Sequence, residues 1–152
     1  MLKQIKFRKA KLIDLKAVFK IGKMHFGNER WLTMKFIEDS FLAIGYHYVA
    51  EIKDEVIGGI MVTKYDFPKN WIFYYVVHPK YQRKGIGAKL LKLVENDIKK
   101  DLSPSNFLYV DIGIDDKIAK NFYLKNSFEI QGKVNNWFGD DLPALILGKK
   151  LN

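Results

Sequence analysis

The sequence predicts an α/β or α+β fold, a β-sheet carrying helices on its faces. Two patterns along the chain carry that prediction. Apolar residues recur at helical spacing in four segments, and β-branched or aromatic runs recur in seven. The two kinds follow one another in the order β-α-α-β-β-β-α-β-α-β-β, which no helical bundle would produce. A third observation bounds the size. At 152 residues and 48% apolar, the chain can bury a core and is expected to form one domain over 1–152.

Residues 4–8 alternate weakly and read as the first strand. Over Leu12–Ile21, the residues Leu12, Leu15, Val18, Phe19 and Gly22 fall at helical spacing. Leu32, Phe36, Ile37 and Phe41 repeat the pattern over Trp31–Ala43. Tyr46–Ile52 and Val56–Lys64 are β-rich runs about the polar turn Lys53–Glu55, which predicts a hairpin. Trp71–Val77 is a continuous aromatic and β-branched run, suited to a central strand buried on both faces. Pro79 lacks the N–H a ladder needs and marks the end of that strand. A helix follows from Gly87 to Lys100, with Leu90, Leu91, Val94 and Ile98 as its stripe. Leu102–Asn106 (LSPSN) reads as a loop, and Phe107–Ile112 as the next strand. Asp115 or Asp116 caps a helix on which Ile118, Ala119, Phe122 and Tyr123 share one face. Phe128–Val134 and Leu142–Leu147 close the chain as two strands, joined by the loop NNWFGDD.

Composition narrows the chemistry. There is no Cys, which excludes a disulfide scaffold, a thiolate nucleophile and a cysteine zinc site. His25, His47 and His78 show no ligand spacing, so no metal is expected. The longest apolar runs are far short of the ~20 residues of a membrane span. The start MLKQIKFRKAK has no apolar signal core, so a cytoplasmic protein without membrane contact is expected. A net charge of +9 favours anionic partners without choosing among nucleic acid, membrane surface and a phosphorylated cofactor. The basic residues are spread along the chain and match no nucleic-acid-binding motif, so nucleic acid is not expected as a partner. A basic nucleic-acid-binding module is nevertheless the rival from another class.

The segment 77–94, VHPKYQRKGIGAKLLKLV, joins the central strand to the helix after it. The first four N–H groups of a helix lack internal partners, and the helix dipole makes that end partly positive. A phosphate is well received there. Gly85 and Gly87 carry no Cβ to block close approach, and Arg83, Lys84 and Lys89 add charge. A pyrophosphate would span successive amides. The glycines are too close together for a P-loop, and Leu90 stands where a dinucleotide fingerprint needs its third glycine.

The motif V-x-P-x-x-Q-R-x-G-x-G/A, matched by Val77, Pro79, Gln82, Arg83, Gly85, Ile86, Gly87 and Ala88, resembles the acyl-CoA-binding motif of the GNAT N-acetyltransferase superfamily. Ala119–Phe128 (AKNFYLKNSF) is similar to a second segment of that family, and the element order fits its fold. The resemblance implies a mixed, mostly antiparallel central sheet splayed at the cofactor site, with helices on both faces. It implies acetyl-CoA as cofactor and direct transfer of an acetyl group to a primary amine of a small molecule or peptide. Amides from Arg83 through Lys84, Gly85, Ile86, Gly87 and Ala88 would hold the pyrophosphate, with Gln82 also among the cofactor-binding residues. Main chain at Val76 and Val77 would meet the pantetheine arm, and Tyr123 would be the general acid for the leaving thiolate.

Departures from the family pattern are equally readable. Ser127 stands where the family prefers Gly, at a helix end that favours a left-handed residue. Asp116 stands where many members have an Asn, and Asn121, one turn on, is the substitute contact. The run WIFYYVV has no carboxylate for a general base, which leaves Glu29, Glu38, Asp111 and Asp140 as candidates. Phe26 and Trp31, between the first two helices, and Trp137, in the last hairpin, are expected to wall the acceptor channel. The C-terminal segment is also similar to relatives that acetylate protein N-termini, of the ribosomal-protein type. A CoA-binding domain without catalysis is a further alternative, and the chain is expected to be a monomer or a homodimer.

Overall fold

The computed structural model describes residues 2–64, 69–101 and 106–151. Its elements, in chain order, are β1 (Lys6–Lys9), α1 (Leu15–Phe26), α2 (Met34–Leu42), β2 (Gly45–Ile52), β3 (Glu55–Lys64), β4 (Lys69–Val77), α3 (Ile86–Lys100), β5 (Phe107–Gly113), α4 (Lys117–Lys125), β6 (Glu129–Val134) and β7 (Ala144–Lys150). The order is the one expected, and the bounds move for local reasons. Leu12 lies in a short 3₁₀ turn, Leu12–Asp14, and is exposed rather than part of the apolar stripe. The helix it was expected to open starts at Leu15 and runs on to Phe26, where Gly27 at φ 67 ends it. The second helix begins at Met34 rather than Trp31, because the Thr33 hydroxyl accepts from the Phe36 N–H and caps it there. The Leu102–Ser105 part of the expected loop lies outside the described residues.

The hairpin turn at Lys53 and Asp54 takes positive φ at both residues, 49° and 64°, matching the right-handed twist of the strands it joins. Seven strands form one sheet in the order β1-β2-β3-β4-β5-β7-β6. Every neighbouring pair is antiparallel except β4 and β5. Helices α1 and α2 cover one face, where Val18, Ile21, Leu32 and Ile37 meet Val49, Met61, Tyr74 and Val76. Helix α3 covers the other, where Leu90, Leu91, Val94 and Ile98 meet Ile60, Val62, Ile72 and Leu108; Tyr123 and Phe128 join that cluster.

Two features of β4 position the site. Along its ladder with β3, Met61 faces Tyr74 and Val62 faces Ile72, so Phe73 is an extra residue. Such a bulge bends the strand and reverses the alternation beyond it. Ile72 therefore faces α3 while Tyr74 and Val76 face α1, and Tyr75 and Val77 pack on the α3 side. The parallel pairing of β4 with β5 starts at Lys69 opposite Phe107 and stops at Ile72 opposite Val110. Beyond it β4 stays with β3 as far as Val77, and β5 stays with β7 as far as Gly113. The sheet opens between them as a V.

Candidate functional site

The turn after β4 has the backbone an anion seat requires. Pro79–Tyr81 form one 3₁₀ turn, anchored by the His78 N–H donating to the Ile57 carbonyl at 2.8 Å. Arg83 and Gly85 follow in left-handed conformations, φ 61 and 84. Gly85 is the N-cap of α3, and no side chain among the described residues caps it. The first helical donor bonded internally is Lys89, to the Gly85 carbonyl at 3.0 Å. The amides of Gly85, Ile86, Gly87 and Ala88 therefore lack helical acceptors, which is the anion-receiving arrangement. Gln82, Arg83, Lys84 and Ala88 are exposed, whereas the Ile86 side chain is buried, so that residue offers only its amide. Gln82 has a second use, because its Nε2 donates to the Val77 carbonyl at 2.9 Å.

The open edge of β4 differs from expectation in one respect. In an antiparallel ladder, bonded and non-bonded pairs alternate. The bond from His78 to Ile57 makes Val77 opposite Gly58 a non-bonded pair and Val76 opposite Gly59 a bonded one. Val76 thus directs its main-chain groups at β3, and Tyr75 and Val77 direct theirs into the opening. Asn121 needs a similar correction. On α4, Ala119 and Tyr123 are one turn apart and face inward, while Asn121 lies on the exposed side and Ile118 is 78% exposed.

A cavity of about 1220 Å³ fills the mouth of the V. Its floor is β4 from Trp71 to Tyr75 and β5 from Val110 to Gly113. The α1–α2 connection forms one wall through Phe26, Glu29 and Trp31, and the β6–β7 loop forms the other through Trp137, Phe138 and Asp141. Phe26, Trp31 and Trp137 thus line this cavity. Of the four carboxylates proposed as bases, Glu29 and Asp111 reach the cavity; Glu38 and Asp140 are exposed outside it.

Asp111 is held by two donors. Trp71 Nε1 donates to its Oδ1 at 2.5 Å and Trp137 Nε1 to its Oδ2 at 3.0 Å. The two indoles lie nearly parallel, centroids 6.0 Å apart, and Tyr109 stacks on Trp71 at 5.6 Å. Sequence alone ranked Asp111 no higher than its rivals. A signal did exist, for Asp is depleted in strands and here interrupts the run FLYVDIG.

Tyr123 lines the cavity from α4, and its ring is held edge-on by Phe128 at 5.1 Å. The end of α4 fixes it further. The Phe128 N–H donates to the Tyr123 carbonyl and the Ser127 N–H to the Leu124 carbonyl, with Ser127 at φ 70. This is a complete Schellman closure in which a serine takes the position that favours glycine. Burial pushes the Tyr123 hydroxyl well above the ordinary phenol range, and the charges of Asp111 and Asp116 add to the rise. Asp116, rather than Asp115, caps α4 through the Ala119 N–H at 3.0 Å. The described residues contain no cluster of ligating side chains that could hold a metal. No described helix is long and apolar enough to cross a membrane.

Comparison with known proteins identifies the family and the fold. The family model described as "Acetyltransferase (GNAT) family" matches residues 16–128. Among solved structures, Ard1 from Thermoplasma volcanium superposes with a TM-score of 0.87 at 19% identity, covering 98% of this chain and 99% of that one. The ribosomal-protein-S18-alanine N-acetyltransferase from Escherichia coli gives 0.81 at 16%, covering 97% and 94%. A GNAT family acetyltransferase from Elizabethkingia anophelis with acetyl-CoA bound gives 0.77 at 20%, covering 97% and 99%. At these identities the likeness is one of fold.

Proposed function

The chain belongs to the acetyltransferase (GNAT) family, and from that premise we propose that it transfers an acetyl group from acetyl-CoA to a primary amine of a small molecule or peptide. The observation that carries this reading is the V between β4 and β5. It leads from the free amides of α3 to a cavity with Asp111 on one side of its floor and Tyr123 on the other. The residues present fit the cofactor, because an uncapped helix start flanked by Lys84 and Lys89 suits a diphosphate. The main chain of Tyr75 and Val77, turned away from β3 into the opening, suits the amides of its arm.

The cofactor supplies an activated acetyl thioester. The acceptor nitrogen forms a bond to the acetyl carbon as the carbon–sulfur bond breaks, and the thiolate gains a proton. No protein nucleophile is needed, in keeping with a chain that has no Cys. Asp111 attracts the acceptor as an ammonium and accepts its proton, directly or through water, leaving a neutral amine. Tyr123 donates a hydrogen bond to the departing sulfur. Its raised pKa keeps it protonated, so it remains a donor to the sulfur at neutral pH.

The lining supports a cationic acceptor. Glu29, Asp111, Asp115, Asp116 and Asp141 face one Arg30 there, in a chain whose net charge is +9. A cleft of one sign raises the local concentration of opposite charge. The reading is tested by a panel of amines, from polyamines and amino sugars to peptides with free N-termini, assayed for thiol release from acetyl-CoA. Turnover with at least one amine is expected. Coenzyme binding without turnover on any of them would leave a CoA-binding domain instead.

A further inference from the structure

The site has two parts. The turn Gln82–Ala88 is exposed beyond the end of β4, and the cavity with Tyr123 lies within the V. One side chain reaches both. Because the bulge at Phe73 reverses the alternation, Tyr75 packs on the α3 side, and its hydroxyl donates to the Gly87 carbonyl in the first turn of α3. Its ring lies edge-on to Tyr123 at 6.4 Å and 68°, and to Phe122 at 5.8 Å and 80°. Gly87 has a second reason to be glycine. A Cβ there would lie 3.2 Å from the Tyr75 hydroxyl oxygen, closer than such contacts normally run.

We propose that Tyr75 is a positioning residue: its hydroxyl fixes the first turn of α3 for the diphosphate, and its ring fixes Tyr123 at the thioester. This rests on the acetyl-CoA reading above. A turn already held in its receiving geometry has less ordering to undergo when the ligand arrives, so affinity is gained through preorganisation. Burial keeps the Tyr75 hydroxyl protonated far above neutral pH, so it remains a donor throughout.

The test is calorimetric titration with coenzyme A, together with turnover at saturating acetyl-CoA. Tyr75→Phe keeps the ring and removes the donor. It should weaken coenzyme binding roughly two- to tenfold, the range of a single hydrogen bond, and lower kcat less than Tyr75→Leu does. Tyr75→Leu removes the ring as well and should lower kcat too. Gly87→Ala should weaken binding when Tyr75 is present and do so less in the Tyr75→Phe background, where the clashing oxygen is gone. That non-additivity is a readout a merely structural role would not give. Coenzyme affinity unchanged in Tyr75→Phe, or equal losses from Gly87→Ala in both backgrounds, would overturn the role of Tyr75 alone. Failure of the wild-type chain to bind coenzyme A would overturn the acetyl-CoA reading and this inference with it.

Discussion

Replacing Asp111 by Asn tests the acceptor side of the site with little change in shape. The carboxylate now receives Trp71 Nε1 at 2.5 Å and Trp137 Nε1 at 3.0 Å, one on each oxygen. An amide offers one carbonyl oxygen and one NH₂ group, so one indole must face a donor instead of an acceptor. Leaving a donor unsatisfied costs about 1–3 kcal/mol of stability where it is buried, and less here because Trp137 is 45% exposed. The larger effect is on the acceptor. An ammonium about 4 Å from a carboxylate at an effective dielectric of about 20 gains about 4 kcal/mol, and partial solvation of the cavity mouth reduces that. With each 1.36 kcal/mol equal to a factor of ten, kcat/KM for the amine should fall by roughly 10²- to 10³-fold. Coenzyme affinity should not change, because Asp111 lies in the cavity and the diphosphate seat is the turn beyond it. The assay is thiol release at varied amine concentration, with coenzyme titration and thermal unfolding as controls. If a folded Asp111→Asn protein keeps kcat/KM within about threefold of wild type, the anchoring role is wrong.

The other perturbations reach different parts of the molecule. Tyr123→Phe keeps the packing against Phe128 and removes the proton donor, so kcat should fall by roughly 10²- to 10⁴-fold with coenzyme affinity intact; equal turnover at every pH would refute the assignment. Because burial raises the Tyr123 hydroxyl, the wild-type pH–rate profile should show no fall from its ionisation near pH 10. Ser127→Gly relieves a left-handed serine and should stabilise the fold by about 1 kcal/mol, seen as a Tm higher by roughly 2–4 °C; an unchanged or lower Tm would count against strain at that position. Burial lowers the pKa of His47, so the folded state resists its protonation. Its contribution is complete above about pH 6.5 and is lost as the pH falls. Unfolding from pH 7.5 to 5.5 should therefore show a declining Tm, and His47→Gln should flatten the decline.

The uncapped start of α3 was legible in the sequence because its parts are local. Gly85, Gly87 and the stripe Leu90, Leu91, Val94 and Ile98 lie within one turn and one helix, and backbone amides need no distant partner to become available. The reading faltered where periodicity met an interruption. Leu12 fits a helical spacing but sits in a 3₁₀ turn, and Asn121 shares a helix with Tyr123 while facing the other way.

Alone, the sequence determined the order of elements, the apolar faces and the open helix start after β4, all set by interactions between residues near one another in the chain. Only the tertiary structure decided which carboxylates meet the cavity, which strand residues turn their main chain into it and that Tyr75 contacts both Gly87 and Tyr123. Those outcomes depend on Phe73 as an extra residue opposite β3 and on the β4–β5 pairing ending at Ile72 and Val110. Register between strands is a non-local property, and shifting it by one residue exchanges the two faces of a strand.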